Sequence, residues 1–479
     1  MSSLLNRRTF LSGAAASLAA AAQPKRNVLF IASDDLNDCL GCFGHPIVRT
    51  PNLDRLATLG VYFPNAYCQF PLCSPSRSSL MTGLAPDTTK IYDLQTHFRT
   101  TLPDVVTLPQ LFQKNGYFVA RAGKIYHYGV PAQIGTNGLD DAASWNHVVN
   151  PAGVDHTKEE PLLINHTPGR GLGSAICYHV SDAPDEQHTD GMVAASVAEM
   201  IEQHRDQPWF LGAGFYRPHV PWIAPAKYFD LYPLDRIQAP PFDESEMHQA
   251  PEWAYFTKPA NWGMTLLQRR EAIRAYYASI SFMDAQVGKL LDTLDRLKLT
   301  RNTTFVFWGD NGYHLGEHGQ WMKQTVFEPA ARVPMIMAGA GVPARGRGCT
   351  RPVELLDMYP TLAAICNLGG TPGNLHGRSL LPLLTNPAAA WDKPAISQVR
   401  RPSPKGQVMG YSLRTARYRY STWEQGGAGE ELYDYESDPR EIRNLAADPA
   451  AGGLKQQLRT QLLTIARQRG MPPNSGSSN

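Results

Sequence analysis

The chain has little charge of either sign in excess, no long apolar run and few cysteines, and each shortage removes a class of function. Lysine and arginine number 45 against 43 aspartate and glutamate over 479 residues, for a formal net charge of +2. Arg7 and Arg8 fall in an acid-free leader expected to be removed, so the remainder sits near neutrality. No basic field advertises nucleic acid, and no acidic tail advertises disorder. No segment reaches the roughly 20 apolar residues that a membrane-spanning helix needs. The cysteines, at positions 39, 42, 68, 73, 177, 349 and 366, are too sparse for a disulfide scaffold. Cys39 and Cys42 have metal or redox spacing, yet no second pair completes a zinc site. They read as small buried residues, with a disulfide between them left open. No internal repeat is present.

What the chain does have is the material of a large globular protein. Its 43% apolar content fills a core, and its length suits one large domain plus a smaller one. Two arginines, a short alanine-rich run and small residues over positions 1–22 fit a bacterial twin-arginine export signal. Asn27–Ser33 is a short continuous apolar run, the pattern of a strand buried on both faces. Similar runs recur at Tyr117–Arg121, Trp209–Phe215, Thr304–Trp308 and Val333–Ala338. Helical patterns lie between them at Asn52–Leu59, Leu108–Asn115, Thr189–His204, Leu267–Leu297 and Val353–Cys366. Strands alternating with helices predict a doubly wound α/β sheet with parallel strands and ligands at their carboxyl ends. The Pro/Gly-rich stretch Gly369–Pro387 reads as a boundary. It divides a catalytic domain over 23–370 from a C-terminal α+β subdomain over 371–468. Four short antiparallel strands and a helix near Leu454–Arg467 are expected in the latter, followed by a disordered tail over 469–479. Pro151–Gly173 and Pro233–Pro259 read as long insertions, where specificity often resides.

Chemistry concentrates at a few points. Cys73-Ser74-Pro75-Ser76-Arg77 places a thiol, a rigid turn and a fixed cation just ahead of an expected helix. Asp34 and Asp35 follow a strand directly, and two adjacent carboxylates there call for a counter-charge. Asp310 and Asn311 repeat the arrangement after a second strand. Together they offer hard oxygen ligands suited to calcium or magnesium.

Cys-x-Pro-Ser-Arg continuing into Leu80-Met81-Thr82-Gly83 resembles the signature of type I sulfatases, members of the alkaline-phosphatase superfamily. Asp34-Asp35-Leu36, Thr50-Pro51-Asn52-Leu53-Asp54-Arg55-Leu56-Ala57, and the closing Glu431-Leu432-Tyr433-Asp434 with Asp438-Pro439-Arg440-Glu441 extend the likeness over nearly the whole chain. Ala122-Gly123-Lys124-Ile125-Tyr126-His127, Gly214-Phe215-Tyr216-Arg217-Pro218-His219 and Leu315-Gly316-Glu317-His318-Gly319-Gln320-Trp321-Met322-Lys323 resemble the iduronate 2-sulfatases within that family. Asn311 departs from these, since histidine usually stands there.

The resemblance implies a mixed, alkaline-phosphatase-like sheet and a sulfatase acting on a sulfated glycan, with a uronate as the expected sugar. It implies conversion of Cys73 to formylglycine by a maturating enzyme. It also implies calcium, or magnesium, held by Asp34, Asp35, Asp310, Asn311 and the modified residue 73. One hydroxyl of the aldehyde hydrate would attack sulfur, and the other would collapse to expel sulfate. Arg77 would steady the hydrate. Lys124 and His127 would serve nucleophile and sulfate, with His127 as base. His219 would be the acid for the leaving alcohol, and Lys323 a cation bridging sulfate and leaving oxygen. His97 is a candidate substrate contact, whereas His45, His314 and His318 have weaker claims. An exported protein, periplasmic or extracellular, is expected. The rivals are a phosphonate or phosphodiester hydrolase of the same superfamily and a non-catalytic sulfated-glycan binder. The latter should have lost nucleophile, cations or ligands, and this chain retains them all.

Overall fold

The structure, a computed structural model, describes residues 25–404 and 406–472. The leader expected over 1–22 and positions 473–479 of the expected tail lie outside the described residues. Asn27–Ser33 is buried along its whole length and occupies the middle of a nine-stranded sheet. Leu29 and Ile31 face one core, shared with helices Pro51–Thr58, Thr189–Gln203 and Leu266–Arg296. Val28, Phe30 and Ala32 face the other, shared with helices Cys73–Thr82, Leu108–Lys114 and Met358–Ile365. Because both faces are covered, the run needs no polar alternation, which is why it reads as continuously apolar.

The strand ends align at one edge. Ser33 pairs with Gly309 of Thr303–Gly309 on one side and with Phe215 of Trp209–Phe215 on the other, both parallel. Phe118–Gly123 continues the parallel set, with Gly123 opposite Gly214. These glycines let the next segment cross closely. A Cβ on Gly214 would lie 2.3 Å from the Lys124 backbone, and one on Gly123, at φ +73°, would lie 2.1 Å from Gly214 O.

The mixed character that the resemblance implies, and two departures from the sequence reading, have physical causes. Arg332–Gly339 runs antiparallel to both its neighbours, Thr303–Gly309 and Gly60–Tyr67. The chain stays at the carboxyl edge from Asp310 to Ala331 and re-enters the sheet from there, so the sheet is mixed. Gly60–Tyr67 is a strand despite Gly60 and Pro64, which masked its pattern. The helix expected from Val353 starts at Met358 instead, because Val353–Glu354 pairs with the strand Gly60–Tyr67. All seven cysteines are free, so Cys39 and Cys42 form no disulfide.

Within the expected boundary Gly369–Pro387, Leu380, Leu383 and Leu384 are buried in the second core. Beyond it, Ala395–Ser403, Gly406–Arg414, Tyr418–Trp423 and Glu430–Asp434 form a four-stranded antiparallel sheet in sequential order. Helix Gly452–Gln468 buries Leu458, Leu462 and Ala466 against Leu413, Tyr420 and Leu432. The first residues of the expected tail are not loose. Arg469 donates twice to Glu354, at 2.7 Å each, and Met471 is buried.

Burial opposes the charge on Glu354, but Arg469 and Lys393 hold its carboxyl down at about 2. A folded-state value below the unfolded one contributes stability above about pH 4.5 that is lost as pH falls toward 2. Arg469→Ala, which leaves a buried carboxylate short of a partner, should cost about 3–5 kcal/mol. Hydrogen exchange over 452–471 should rise in that variant at neutral pH and in the parent near pH 3. Unchanged protection in both would contradict this.

Candidate active site

Every catalytic and metal-ligating residue read from the sequence lies at the carboxyl edge of the sheet. Asp34 and Asp35 leave the central strand, and Asp310 and Asn311 leave its neighbour. Asp35 adopts φ 60°, a strained left-handed conformation. Its N–H donates to Asp310 Oδ1 at 3.0 Å, and its carbonyl accepts from Tyr276 Oη at 2.7 Å. Tyr276 Oη also accepts from Asn37 N, so one phenol fixes both sides of the turn.

Cys73 is the first residue of helix Cys73–Thr82, and Pro75 sits in its first turn, where a missing N–H costs nothing. Lys323 Nζ donates to Cys73 Sγ at 2.9 Å and also bonds Asp35 Oδ1. Sγ lies 3.7 Å from Asp35 Oδ1. Burial, reinforced by the charge of Asp34, pushes the Cys73 thiol well above its ordinary range. The unmodified side chain is thus a neutral thiol, a weak nucleophile.

Arg77 is engaged chiefly by the acidic strand tips. Its Nε donates to Asp310 Oδ2 at 2.7 Å, its Nη1 to the Lys124 and Ile125 carbonyls at 2.6 and 2.9 Å, and its Nη2 to Asp34 Oδ1 at 3.3 Å. The guanidinium braces the two acidic strand tips against the loop after Phe118–Gly123, and most of its donors are spent there. Lys124 Nζ bonds Asp34 Oδ2 at 2.5 Å. Burial alone would raise the Asp34 carboxyl, but Lys124, His219 and Arg77 together hold it well below the usual carboxylate range.

His219 donates from Nδ1 to the Val220 carbonyl at 2.5 Å, which leaves Nε2 facing Asp35 Oδ2 at 3.6 Å. Burial pulls its pKa down to about 4. His127 is also held well below its ordinary value, by burial and then by Lys124, and its buried Nδ1 has no partner. Asp34, Asp35, Arg77, Lys124, Asp310 and Asn311 are completely buried, whereas Cys73 is 1%, Lys323 3%, His219 5% and His127 6% exposed. Access to the cluster is therefore past the two histidines.

His97 is not brought to this cluster. Its Nε2 donates to the Asp140 carbonyl at 3.0 Å, its Nδ1 accepts from Arg99 N at 3.0 Å, and its ring stacks on Phe98. His318, at φ 54°, stacks on Phe327, and His314 bonds Thr325. His45 caps the backbone of Ile47 and Val48.

The donor set suits a divalent cation. Ligand atoms of Asp34, Asp35, Cys73 and Asp310 all lie within 4.8 Å of one another. Asp35 Oδ2 and Asn311 Oδ1 are buried without a hydrogen-bond partner, as oxygens awaiting a cation would be.

Several supporting residues escaped the sequence reading. Asp190, at the start of helix Thr189–Gln203, accepts from Tyr216 N at 2.8 Å and Arg217 N at 3.0 Å. Ser33 Oγ donates to the Arg217 carbonyl at 2.8 Å, which ties the His219 loop to the strand that carries Asp34. A serine or aspartate at an element end carries no local signal for such a role.

Three fixed cations crowded around one latent nucleophile suit the hydrolysis of an anionic ester. Residues 26–368 match the family described as Sulfatase, and residues 316–468 match N-sulphoglucosamine sulphohydrolase, C-terminal. The chain is 34% identical over 443 residues to a sulfatase of Formosa agariphila, spanning 88% of this chain and 83% of that protein. It is 31% identical over 524 residues to iduronate 2-sulfatase of Mus musculus, spanning 90% and 93%. A phosphonate monoester hydrolase of Agrobacterium radiobacter has a similar fold, with a TM-score of 0.77 and 21% identity across 93% of this chain and 96% of that one. The chain belongs to the sulfatase family. It is a sulfuric ester hydrolase.

Proposed function

We propose that this sulfatase removes sulfate from a sugar of a sulfated polysaccharide, with a uronate such as 2-sulfated iduronate as the target unit. The observation that carries the chemical part is the position of Cys73 Sγ, 2.9 Å from Lys323 Nζ at the rim of three buried carboxylates. The sugar assignment draws on the full-length likeness to iduronate 2-sulfatase.

Oxidised to formylglycine by a maturating enzyme, position 73 would supply a hydrated aldehyde oxygen as nucleophile where the thiol now stands. Asp34, Asp35, Asp310 and Asn311 would hold calcium, with magnesium as the alternative, and the cation would offset the charge of the sulfate oxygens. Lys323 and Lys124, fixed on Asp35 and Asp34, direct two ammonium groups at the same oxygens. His127, neutral with a free ring nitrogen, is suited to take the proton of the remaining hydroxyl as the hydrate collapses and expels sulfate. His219 would give a proton to the leaving alcohol from Nε2, because Nδ1 is committed to Val220 O. That role requires a second proton on the ring, which the negative charge of a bound sulfate ester favours. Export to the periplasm or beyond belongs to the same reading and rests on residues 1–22.

The test is sulfate release from a panel of singly sulfated mono- and disaccharides, run beside a phosphodiester and a phosphonate monoester. Turnover of sulfated uronates well above both phosphorus substrates is expected. Preference for either phosphorus ester would overturn the assignment.

A further inference from the structure

His219 is aimed by its own loop, and that loop is held by the first insertion. The ring donates from Nδ1 to the Val220 carbonyl, so the direction of Nε2 depends on where that carbonyl stands. Arg217 grips the loop on either side of it. Its Nε donates to the Ile223 carbonyl at 3.0 Å, and its Nη1 to the His219 carbonyl at 3.4 Å. Its remaining nitrogen, Nη2, donates to Asp155 Oδ2 at 2.9 Å. Two further bonds close the cradle, from Trp222 Nε1 to the Pro218 carbonyl at 2.7 Å and from His219 N to the Tyr216 carbonyl at 2.9 Å.

Asp155 lies in the short helix Val154–Thr157, inside the insertion Pro151–Gly173. Its other oxygen, Oδ1, accepts from Thr189 N and Thr189 Oγ1, both at 2.8 Å, at the start of helix Thr189–Gln203. One oxygen thus fixes the carboxylate to the scaffold, and the other fixes the guanidinium to the carboxylate. Both side chains are buried. A buried pair of this kind contributes little net stability over an apolar substitute, because both charges lose their water. What it supplies is direction. A planar guanidinium with one nitrogen committed to a fixed carboxylate can offer its other donors only along set lines.

We propose that Asp155 acts through Arg217 as a positioning residue for His219, holding Nε2 on the line along which a proton reaches the leaving alcohol. This inference rests on the reading of His219 as the acid, and not on which sugar is the substrate. In that step the proton passes from Nε2 to the ester oxygen as the bond from that oxygen to sulfur breaks. The electron pair of the broken bond stays on the oxygen, and the ring is left neutral with Nδ1 still on the Val220 carbonyl. Such a transfer is sensitive to placement, since a shift of about 1 Å can cost a factor of about 100 in rate. The first insertion thereby governs how readily the sugar departs.

The experiment is a double-mutant cycle between Asp155→Asn and His219→Ala. Its substrates are the sulfated sugar turned over fastest in the panel above and 4-nitrophenyl sulfate, whose phenolate leaves without a proton. Asp155→Asn should lower kcat for the sugar about 20-fold and leave KM, and turnover of the aryl ester, within about threefold of the parent. In the His219→Ala background the same substitution should change kcat for the sugar by less than about twofold, because the group it positions is gone. An equal loss in both backgrounds, or on both esters, would show a purely structural role and overturn the proposal, as would unchanged turnover in Asp155→Asn. Should that variant not fold, Arg217→Lys replaces it with the same expectations, since one ammonium cannot serve the Ile223, His219 and Asp155 oxygens together. Where the parent ignores the aryl ester, the cycle on the sugar decides. If His219→Ala itself keeps sugar turnover within about twofold of the parent, the acid reading and this inference fall together. If His219→Ala is impaired and Asp155→Asn is not, this inference alone falls.

Discussion

Replacing Cys73 with alanine should lower sulfate release by at least about 10⁴-fold, with kcat rather than KM carrying the loss. The Cys73 thiol is buried, neutral and bonded to Lys323, so it has neither the charge nor the freedom of a nucleophilic thiolate. Alanine removes only a small buried group, and the Asp310–Arg77 pair that braces the strand tips is untouched. The variant should therefore fold and bind substrate while failing to turn over. Mass spectrometry of the parent's peptide spanning position 73 should show loss of thiol mass in active preparations. Serine in place of Cys73 separates modification from simple oxygen nucleophilicity, since a sulfated serine has no second hydroxyl whose collapse to an aldehyde would expel the sulfate. A slow single turnover that leaves sulfated protein is expected there. Full activity in the alanine variant, or an unmodified thiol in fully active protein, would refute the mechanism.

Asp310 should be nearly as sensitive, for two separable reasons. Its Oδ1 accepts from the backbone N–H of Asp35 and Asn311, and its Oδ2 takes Arg77 Nε. Asp310→Ala would strand a fully buried guanidinium and two amide donors, at a cost of about 3–5 kcal/mol. Asp310→Asn keeps the shape and the backbone bonds but removes a cation-binding charge. Activity in the asparagine variant should fall by about 10³-fold. Calcium should raise the melting temperature of the parent, because a ligand held only by the folded state stabilises it by about 2.7 kcal/mol at a hundred times its dissociation constant. That shift should shrink or vanish in Asp310→Asn, and a chelator should abolish parental activity reversibly. A parent whose melting point and activity ignore calcium, magnesium and chelator alike would refute the cation site.

How much of this was legible in the sequence depends on whether the signal was local. Asn27–Ser33 announces itself because both faces are buried and nothing polar interrupts it. Asp34, Asp35, Asp310 and Asn311 could be read as one cluster because parallel strands in register must end side by side. Gly60–Tyr67 could not be read so, because Gly60 serves a close approach to Arg332–Gly339 and Pro64 interrupts the strand pattern. The spending of Arg77 on two carboxylates and two carbonyls was equally hidden. Its sequence neighbours show a cation near a thiol, and only the fold shows which acids lie closer. The same holds for Tyr276, whose single hydroxyl fixes the Asp35 turn from a helix far along the chain. His97 shows the converse case. A histidine that local context offers to the substrate is consumed by backbone groups.

The shared level of the strand tips has a consequence for how such a protein can change over time. Its insertions hang from the rim and can be lengthened or exchanged without disturbing the sheet. A slip of one residue between Asn27–Ser33 and Thr303–Gly309 would instead point Asp310 away from Asp34 and break up the acidic cluster in a single step. New sugars should therefore be acquired through the loops, whereas the ladder beneath them tolerates almost no drift.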